Sequence, residues 1–148
     1  QKQTSPILNF DFSNDGNYVQ AQIGHDLINF STKDGIKVEA RDVKWRTYTC
    51  SCGWSVRGLW YHLAGDKKTK GFSLTSLDSV QTKQIGAYAT NQGSIGIFAF
   101  PSPGEVLFLR EYFTGPELIS RVRFNCDGSF LIALQKNPHT LLKFRLLV

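Results

Sequence analysis

An all-β fold built from repeated antiparallel meanders is predicted by three features of this 148-residue chain. First, the stretch Ile7–Val19 (ILNFDFSNDGNYV) returns as Ile119–Leu131 (ISRVRFNCDGSFL). Phe12 matches Phe124, Asp15-Gly16 matches Asp127-Gly128 and Tyr18 matches Phe130, all 112 positions apart. Second, apolar and polar residues alternate in short runs separated by turn formers, the period of half-buried strands. Third, no segment sustains a 3.6-residue apolar period, so helices should be few. A strand–turn–strand pattern that recurs at one offset is a unit built more than once. Repeated β-units with Asp-Gly turns describe the blades of a β-propeller.

The first group of strands is Ile7–Ser13, Asn17–Ile23, Leu27–Ser31 and Ile36–Arg41. Asn14-Asp15-Gly16, Gly24-His25-Asp26 and Lys33-Asp34-Gly35 connect them, each with residues that tolerate positive φ or close an Asx turn. The second group is Phe72–Asp78, Gln84–Thr90, Ser94–Phe100 and Glu105–Tyr112, broken most clearly at Asn91-Gln92-Gly93 and Pro101-Ser102-Pro103-Gly104. The third group has three members: Leu118–Phe124, Ser129–Leu134 and Thr140–Leu146. The chain is therefore divided into blade 1 (7–41), a Trp/Cys-containing insertion (42–71), blade 2 (72–112) and an incomplete blade 3 (118–146) that lacks its outer strand. Three blades do not close a ring, which typically needs about four to eight. Further blades, from the same polypeptide or from another chain, are expected to pack against these.

The third strands resemble one another. Ile28 and Phe30, Gly96 and Phe98, and Leu142 and Phe144 place an aromatic at one register in each. In WD-type blades this is the place of the Trp of a Trp-Asp pair; here it is Phe and no Asp follows, so a strict WD motif is absent. Generic strands of a β-sandwich are the alternative. WD blades recur about every 40–45 residues, so two of them account for less than the 112-residue offset. The stretch Asp42–Gly71 supplies the surplus, and it holds Trp45, Trp54, Trp60, Cys50 and Cys52. Trp54 and Trp60 are expected to be buried, fastening this stretch to the adjoining blade.

Composition narrows the class. Aromatics make up 13% of the chain, with 11 Phe, which suits half-buried sheet faces. Seventeen basic against 12 acidic side chains give +5, which permits an acidic partner but is too scattered to indicate nucleic-acid binding. Three cysteines are an odd number for a disulfide framework. Cys50 and Cys52 share a strand face but form only half of a zinc site, so they read as buried thiols. Asn29-Phe30-Ser31 is a formal glycosylation sequon inside a strand, where a glycan would obstruct pairing. A reduced cellular interior fits better. No run reaches the ~20 apolar residues of a membrane span, and no signal-peptide pattern is present. The chain contains no Met, even at position 1, and is read as a processed product or part of a longer protein.

Motifs for chemistry are few. No nucleophile elbow, His-Glu-x-x-His, P-loop or dinucleotide loop occurs, so no cofactor, metal or catalytic residue is assigned. His25 and His139 fall in turns before third strands, and His62 stands apart. Asp11, Asp15, Asp78 and Asp127 lie in or beside inner strands, where a carboxylate usually accepts backbone N–H bonds. The densest positive charge is Lys67-Lys68-Thr69-Lys70. It is either a solvated loop or an electrostatic contact for an acidic surface.

Trp45-Arg46-Thr47-Tyr48-Thr49-Cys50, followed by Trp54-Ser55-Val56-Arg57-Gly58-Leu59-Trp60, resembles a segment of the echinoderm microtubule-associated protein-like (EMAP-like) family. There a Trp-Thr-Cys element precedes Gly-Ile-Trp and the next inner strand. The Asp-Gly-Asn-Tyr turn and the Ile-x-x-Val-x-Phe-x-x-Asp-Gly-x-Phe-Leu unit are similar to that family as well. Gly115-Pro116 stands where many blades have Gly-His, and Lys136-Asn137-Pro138-His139 replaces a Gly-x-Asp turn. The family's hydrophobic motif ahead of the propellers is not in the chain. The resemblance covers nearly all of it and implies the C-terminal blades of a WD-repeat propeller. It also implies a non-enzymatic platform that binds tubulin or microtubules, for which the basic residues Lys67, Lys68 and Lys70 are the candidate contact. The implied location is the cytoplasmic cytoskeleton, with the cilium or axoneme as one setting. Neither nucleic acid nor membrane is expected as a partner. Trp45, Trp54, Trp60, Asp15, Gly16, Asp127 and Gly128 are assigned structural roles. The alternatives are a generic WD-repeat scaffold of a ciliary or trafficking complex, and a sandwich or propeller domain with a ligand or enzymatic site.

Overall fold

The computed structural model describes residues 5–59, 73–137 and 139–146. The chain divides into two compact units, Gln1–Gly53 and Trp54–Val148.

In the first unit, β1 (Ile7–Phe12), β2 (Tyr18–Ile23), β3 (Asp26–Ser31) and β4 (Lys37–Val38) form one antiparallel sheet in sequence order. β4 is shorter than the expected Ile36–Arg41 because the chain leaves the sheet to return along β1. The Asn14 N–H donates to Lys44 O (2.9 Å), the Arg46 N–H to Phe12 O (2.8 Å), and Ser13 bridges Trp45. The buried set is unusually polar: Asp11, Ser13, Gln20, Gln22, Thr49 and Ser51 accompany Ala21, Ile23, Trp45 and Cys50. Hydrogen bonds must therefore satisfy this interior, since an unpaired buried polar group costs about 1–3 kcal/mol.

The second unit carries two sheets. β5 (Leu74–Val80), β6 (Ile85–Thr90), β7 (Ser94–Ala99) and β8 (Phe108–Phe113) form a four-stranded antiparallel meander. β9 (Ile119–Phe124), β10 (Phe130–Gln135) and β11 (Thr140–Arg145) form a three-stranded one with β10 central. β8 begins later than the expected Glu105 because Ser102 diverts the preceding loop. Its N–H donates to Ser55 O (2.7 Å) and its hydroxyl to Glu105 O (3.0 Å). Within the meander, Gly86 pairs with Phe98 and Tyr88 with Gly96. Each ring lies over the opposite glycine, where a Cβ on Gly96 would sit 2.0 Å from the Tyr88 ring. The residue without a side chain makes the room that the ring fills.

Ala87, Ala89, Ile95 and Ile97 of the meander pack against Ile119, Val122, Leu131 and Ala133 of the three-stranded sheet, joined by Tyr112, Phe124, Leu142 and Phe144. Polar bonds tie β5 to β9 across the same junction. The Thr75 hydroxyl donates to Ile119 O, the Val122 N–H to Ser76 Oγ (3.1 Å) and the Phe124 N–H to Asp78 Oδ2 (2.8 Å). β5 and β9 nevertheless belong to separate sheets, the arrangement of adjoining propeller blades. Three antiparallel sheets, the last of three strands, are the architecture expected from the alternation and the Asp-Gly turns.

Candidate partner-binding surface

The repeated Asp-Gly turns are built alike. After β1, the Asn17 N–H donates to Asp15 Oδ1 (3.1 Å), the Tyr18 N–H to Ser13 Oγ (2.9 Å) and the Ser13 hydroxyl to Asp15 Oδ1 (2.6 Å). After β9, the Ser129 N–H donates to Asp127 Oδ1 (2.8 Å), the Phe130 N–H to Asn125 Oδ1 (2.8 Å) and the Asn125 amide to Asp127 Oδ1 (2.7 Å). Gly16 and Gly128 take φ of +75° and +65°, a region costly for side chains. Bonds from Ser13 and from Asn17 hold the Asp15 carboxyl below the usual carboxylate range, and those from Ser129 do the same for Asp127.

Asp11 is the centre of the first unit. Its Oδ1 accepts from the Thr47 hydroxyl (2.7 Å), the Thr49 N–H (2.9 Å) and the Thr49 hydroxyl (2.9 Å). Its Oδ2 accepts from the Gln20 amide (3.0 Å) and the Cys50 N–H (3.1 Å). The Gln22 side chain pairs with Ser51 beside it, accepting the Ser51 N–H at 2.9 Å. Burial, and then the charge of Asp11, push the Cys50 thiol far above its ordinary range. Burial raises Cys52 as well, while Cys126 is exposed. Among the described residues no cluster of three metal-ligating side chains occurs.

Of the residues singled out in the sequence, Trp45 is buried, but Trp54 is 68% exposed, against the expectation of burial. The tight turn at Trp54–Val56 explains the difference. Val56 and Leu59, three apart, take the inward positions and are fully buried, which turns the indole outward. Trp60, Lys67, Lys68 and Lys70 lie outside the described residues.

A different basic surface is described on the three-stranded sheet. Residues directly opposite on neighbouring strands share a face. Phe130 pairs with Arg145, Ile132 with Lys143 and Arg123, and Leu134 with Leu141 and Arg121. A line of apolar side chains along β10 is thus flanked by cations on β9 and β11. Leu134 and Leu141 are exposed, the latter by 67%, and the Lys143 ammonium stands 4.0 Å from the centre of the Phe130 ring. Arg123 is engaged inward, donating to Val122 O (2.8 Å) and Leu77 O (3.1 Å). Arg121, Lys143 and Arg145 are exposed.

No protein-family model matches the chain. Curated proteins do. The mouse echinoderm microtubule-associated protein-like 3 is 27% identical over 150 residues, covering 97% of this chain and 16% of its own length. The Xenopus laevis protein-like 4 is 22% identical over 150 residues with the same coverage, and the rat protein-like 1 is 22% identical over 149 residues, covering 97% of this chain and 18% of its own. The chain is similar to the EMAP-like proteins. It spans about a sixth of the length of these relatives. Among solved structures, the β-propeller domain of Myceliophthora thermophila Cps50 (Swd1) superposes with a TM-score of 0.62 at 13% identity, over 99% of this chain and 54% of that one. Hsv2 of Kluyveromyces marxianus gives 0.64 at 11% identity, over 98% and 51%. The fold is that of partial β-propeller blades.

One of the stretches that carry the resemblance to EMAP-like proteins, Trp45–Cys50, is held at its backbone by Asp11. Asp11 was recognisable as an acceptor for backbone N–H groups, although its long-range donors were not. The apolar-basic face was missed altogether. Its signal is the alternation Arg121-Val122-Arg123 and Leu141-Leu142-Lys143-Phe144-Arg145, which puts every cation on one side of the sheet.

Proposed function

We propose that this chain contributes propeller blades to a protein-binding platform, without catalysis, whose partner is tubulin or a microtubule. The observation that carries the reading is the match over 97% of the chain to proteins named for microtubule association. The net charge of +5 supports it, because tubulin exposes acidic tails. A cytoskeletal location follows from the same reading, whereas nothing in the relatives' names favours a cilium. Lys67, Lys68 and Lys70 are the contact proposed from the sequence. Further blades of the same polypeptide complete the ring.

Co-sedimentation of the full polypeptide with purified microtubules tests the proposal. Pelleting that weakens as salt rises is expected. Replacing Lys67, Lys68 and Lys70 together by Glu should slow association and flatten the salt dependence, the triple change being needed because single exposed pairs contribute only about 0–1 kcal/mol. Equal pelleting of wild type and triple variant at low salt removes these lysines from the contact. No pelleting of the wild type refutes the microtubule reading and leaves a WD-repeat scaffold for another complex.

A further inference from the structure

We propose that Ser73 is a phosphorylation site for a basophilic serine kinase, and that its phosphate offsets the charge of the lysines ahead of it. Lys70, Lys68 and Lys67 stand three, five and six positions before Ser73, and no Asp or Glu occurs between Asp66 and Asp78. Kinases select substrates partly by charge pattern, and an acidic substrate groove reads cations upstream of the hydroxyl. Thr47 and Thr49 also have a cation three positions ahead, but their hydroxyls donate to Asp11 and Thr49 is buried. Ser73 combines the densest run of lysines in the chain with an exposed side chain.

The backbone around Ser73 suits a kinase substrate. Ser73 lies just ahead of β5, where its N–H donates to Asn91 Oδ1 (2.9 Å) and its C=O accepts the Asn91 N–H (3.1 Å). The Leu74–Thr90 pair alone separates it from a register shift between Leu74 and Ser76. Presenting the hydroxyl to a kinase therefore requires release of two exposed backbone bonds and one strand pair, a local opening at a strand end. The next two hydroxyls are committed elsewhere: Thr75 donates to Ile119 O, and buried Ser76 accepts the Val122 N–H. Both β5 and the turn at Asn91 belong to the four-stranded sheet, so the site does not depend on a missing strand. In the reaction the γ-phosphoryl group of ATP passes to Ser73 Oγ. The bond to the ADP oxygen breaks, the Oγ–P bond forms, the hydroxyl proton goes to the base of the kinase and ADP leaves. The product adds a charge of about −1.5 to −2, which cancels half or more of the charge on Lys67, Lys68 and Lys70.

The consequence for binding rests on the proposed microtubule contact of the three lysines; the modification site itself does not. The full polypeptide is incubated with ATP and the catalytic domain of protein kinase C, a basophilic serine kinase, and the phosphate is located by mass spectrometry. The native protein should be labelled at Ser73, and Ser73→Ala should lose that label. Lys67→Gln with Lys68→Gln and Lys70→Gln should slow labelling of Ser73 by about tenfold or more. Absence of label on Ser73 in the native protein, label there only after denaturation, or equal rates for wild type and the triple variant overturns the site. Microtubule co-sedimentation then separates the two readings. Pelleting of the wild type should fall about threefold or more on phosphorylation, while Ser73→Ala given the same treatment is unaffected. If labelled and unlabelled wild type pellet equally, the switch fails and the microtubule assignment stands. If unlabelled wild type does not pellet, the assignment fails, and the phosphate found on Ser73 still establishes the site.

Discussion

Replacing Asp11 by Ala should unfold the first unit well before any surface change does. The carboxylate is 1% exposed and accepts from neutral donors: the Gln20 amide, the Thr47 hydroxyl, and the backbone and side chain of Thr49 with the Cys50 N–H. The Thr47 hydroxyl can rotate to water. The Gln20 amide and the Thr49 and Cys50 N–H groups are buried and would be left without an acceptor, each at about 1–3 kcal/mol. Allowing for relaxation and for relief of the buried charge, the loss is about 3–5 kcal/mol. At roughly 2–4 °C per kcal/mol for a domain of this size, the midpoint should fall by about 6–20 °C. Asp11→Asn keeps the shape and one acceptor but turns an NH2 toward donors, so it should fall in between. Differential scanning calorimetry of the parent polypeptide measures both. A midpoint for Asp11→Ala within about 2 °C of wild type would refute the account, because the N–H groups of Thr49 and Cys50 would then have found other acceptors.

Other consequences are equally open to measurement. Gly93 has φ of +81° and a Cβ there would lie 1.7 Å from Gly115 O, so Gly93→Ala should cost roughly 1–3 kcal/mol or more in urea unfolding. The thiols should separate under native conditions, with exposed Cys126 reacting promptly and buried Cys50 only after denaturation; prompt labelling of Cys50 would contradict its burial. Asp15 and Asp127 have folded-state pKa values below the ordinary carboxylate value. Their contribution is therefore full above about pH 4 and fades as pH falls through the lowered values. Asp15→Asn with Asp127→Asn should flatten the acid limb of a stability–pH curve and leave its neutral region flat.

The sheets were legible from local signals, two of which agree in the first and third. Alternation marks the strands, and the Asp-Gly turns join β1 to β2 and β9 to β10 with the same side-chain bonds. Strand ends were less so: β4 and β8 are trimmed by bonds to distant residues, Phe12 and Asn14 for the first and Ser55 for the second. Trp54 shows the limit of reading burial from residue type, since the turn geometry that buries Val56 and Leu59 expels it. The apolar-basic face was hidden for a related reason. The cations of β9 and those of β11 stand 20 or more positions apart in sequence and meet only through the cross-strand register of β9, β10 and β11.

The Trp/Cys stretch changes character once Asp11 and Asp78 are compared. Both stand fifth in their aligned inner-strand patterns, ILNFDF and LTSLDS. Asp78 reaches from β5 to the Phe124 N–H on β9, the first strand of the next sheet. Asp11 reaches from β1 to the N–H groups of Thr49 and Cys50. The segment around Thr49 therefore has, toward β1, the hydrogen-bonding relation that β9 has toward β5. An insertion merely looped out between blades would expose its backbone to water and need no such acceptor. Here the carboxylate is buried, its donors are backbone groups, and Trp45 and Cys50 are buried beside it. The part of the stretch around Trp45–Ser51 is thus integral to the first unit's core, and a substitution that frees it should be felt as lost cooperativity in unfolding rather than as a longer loop.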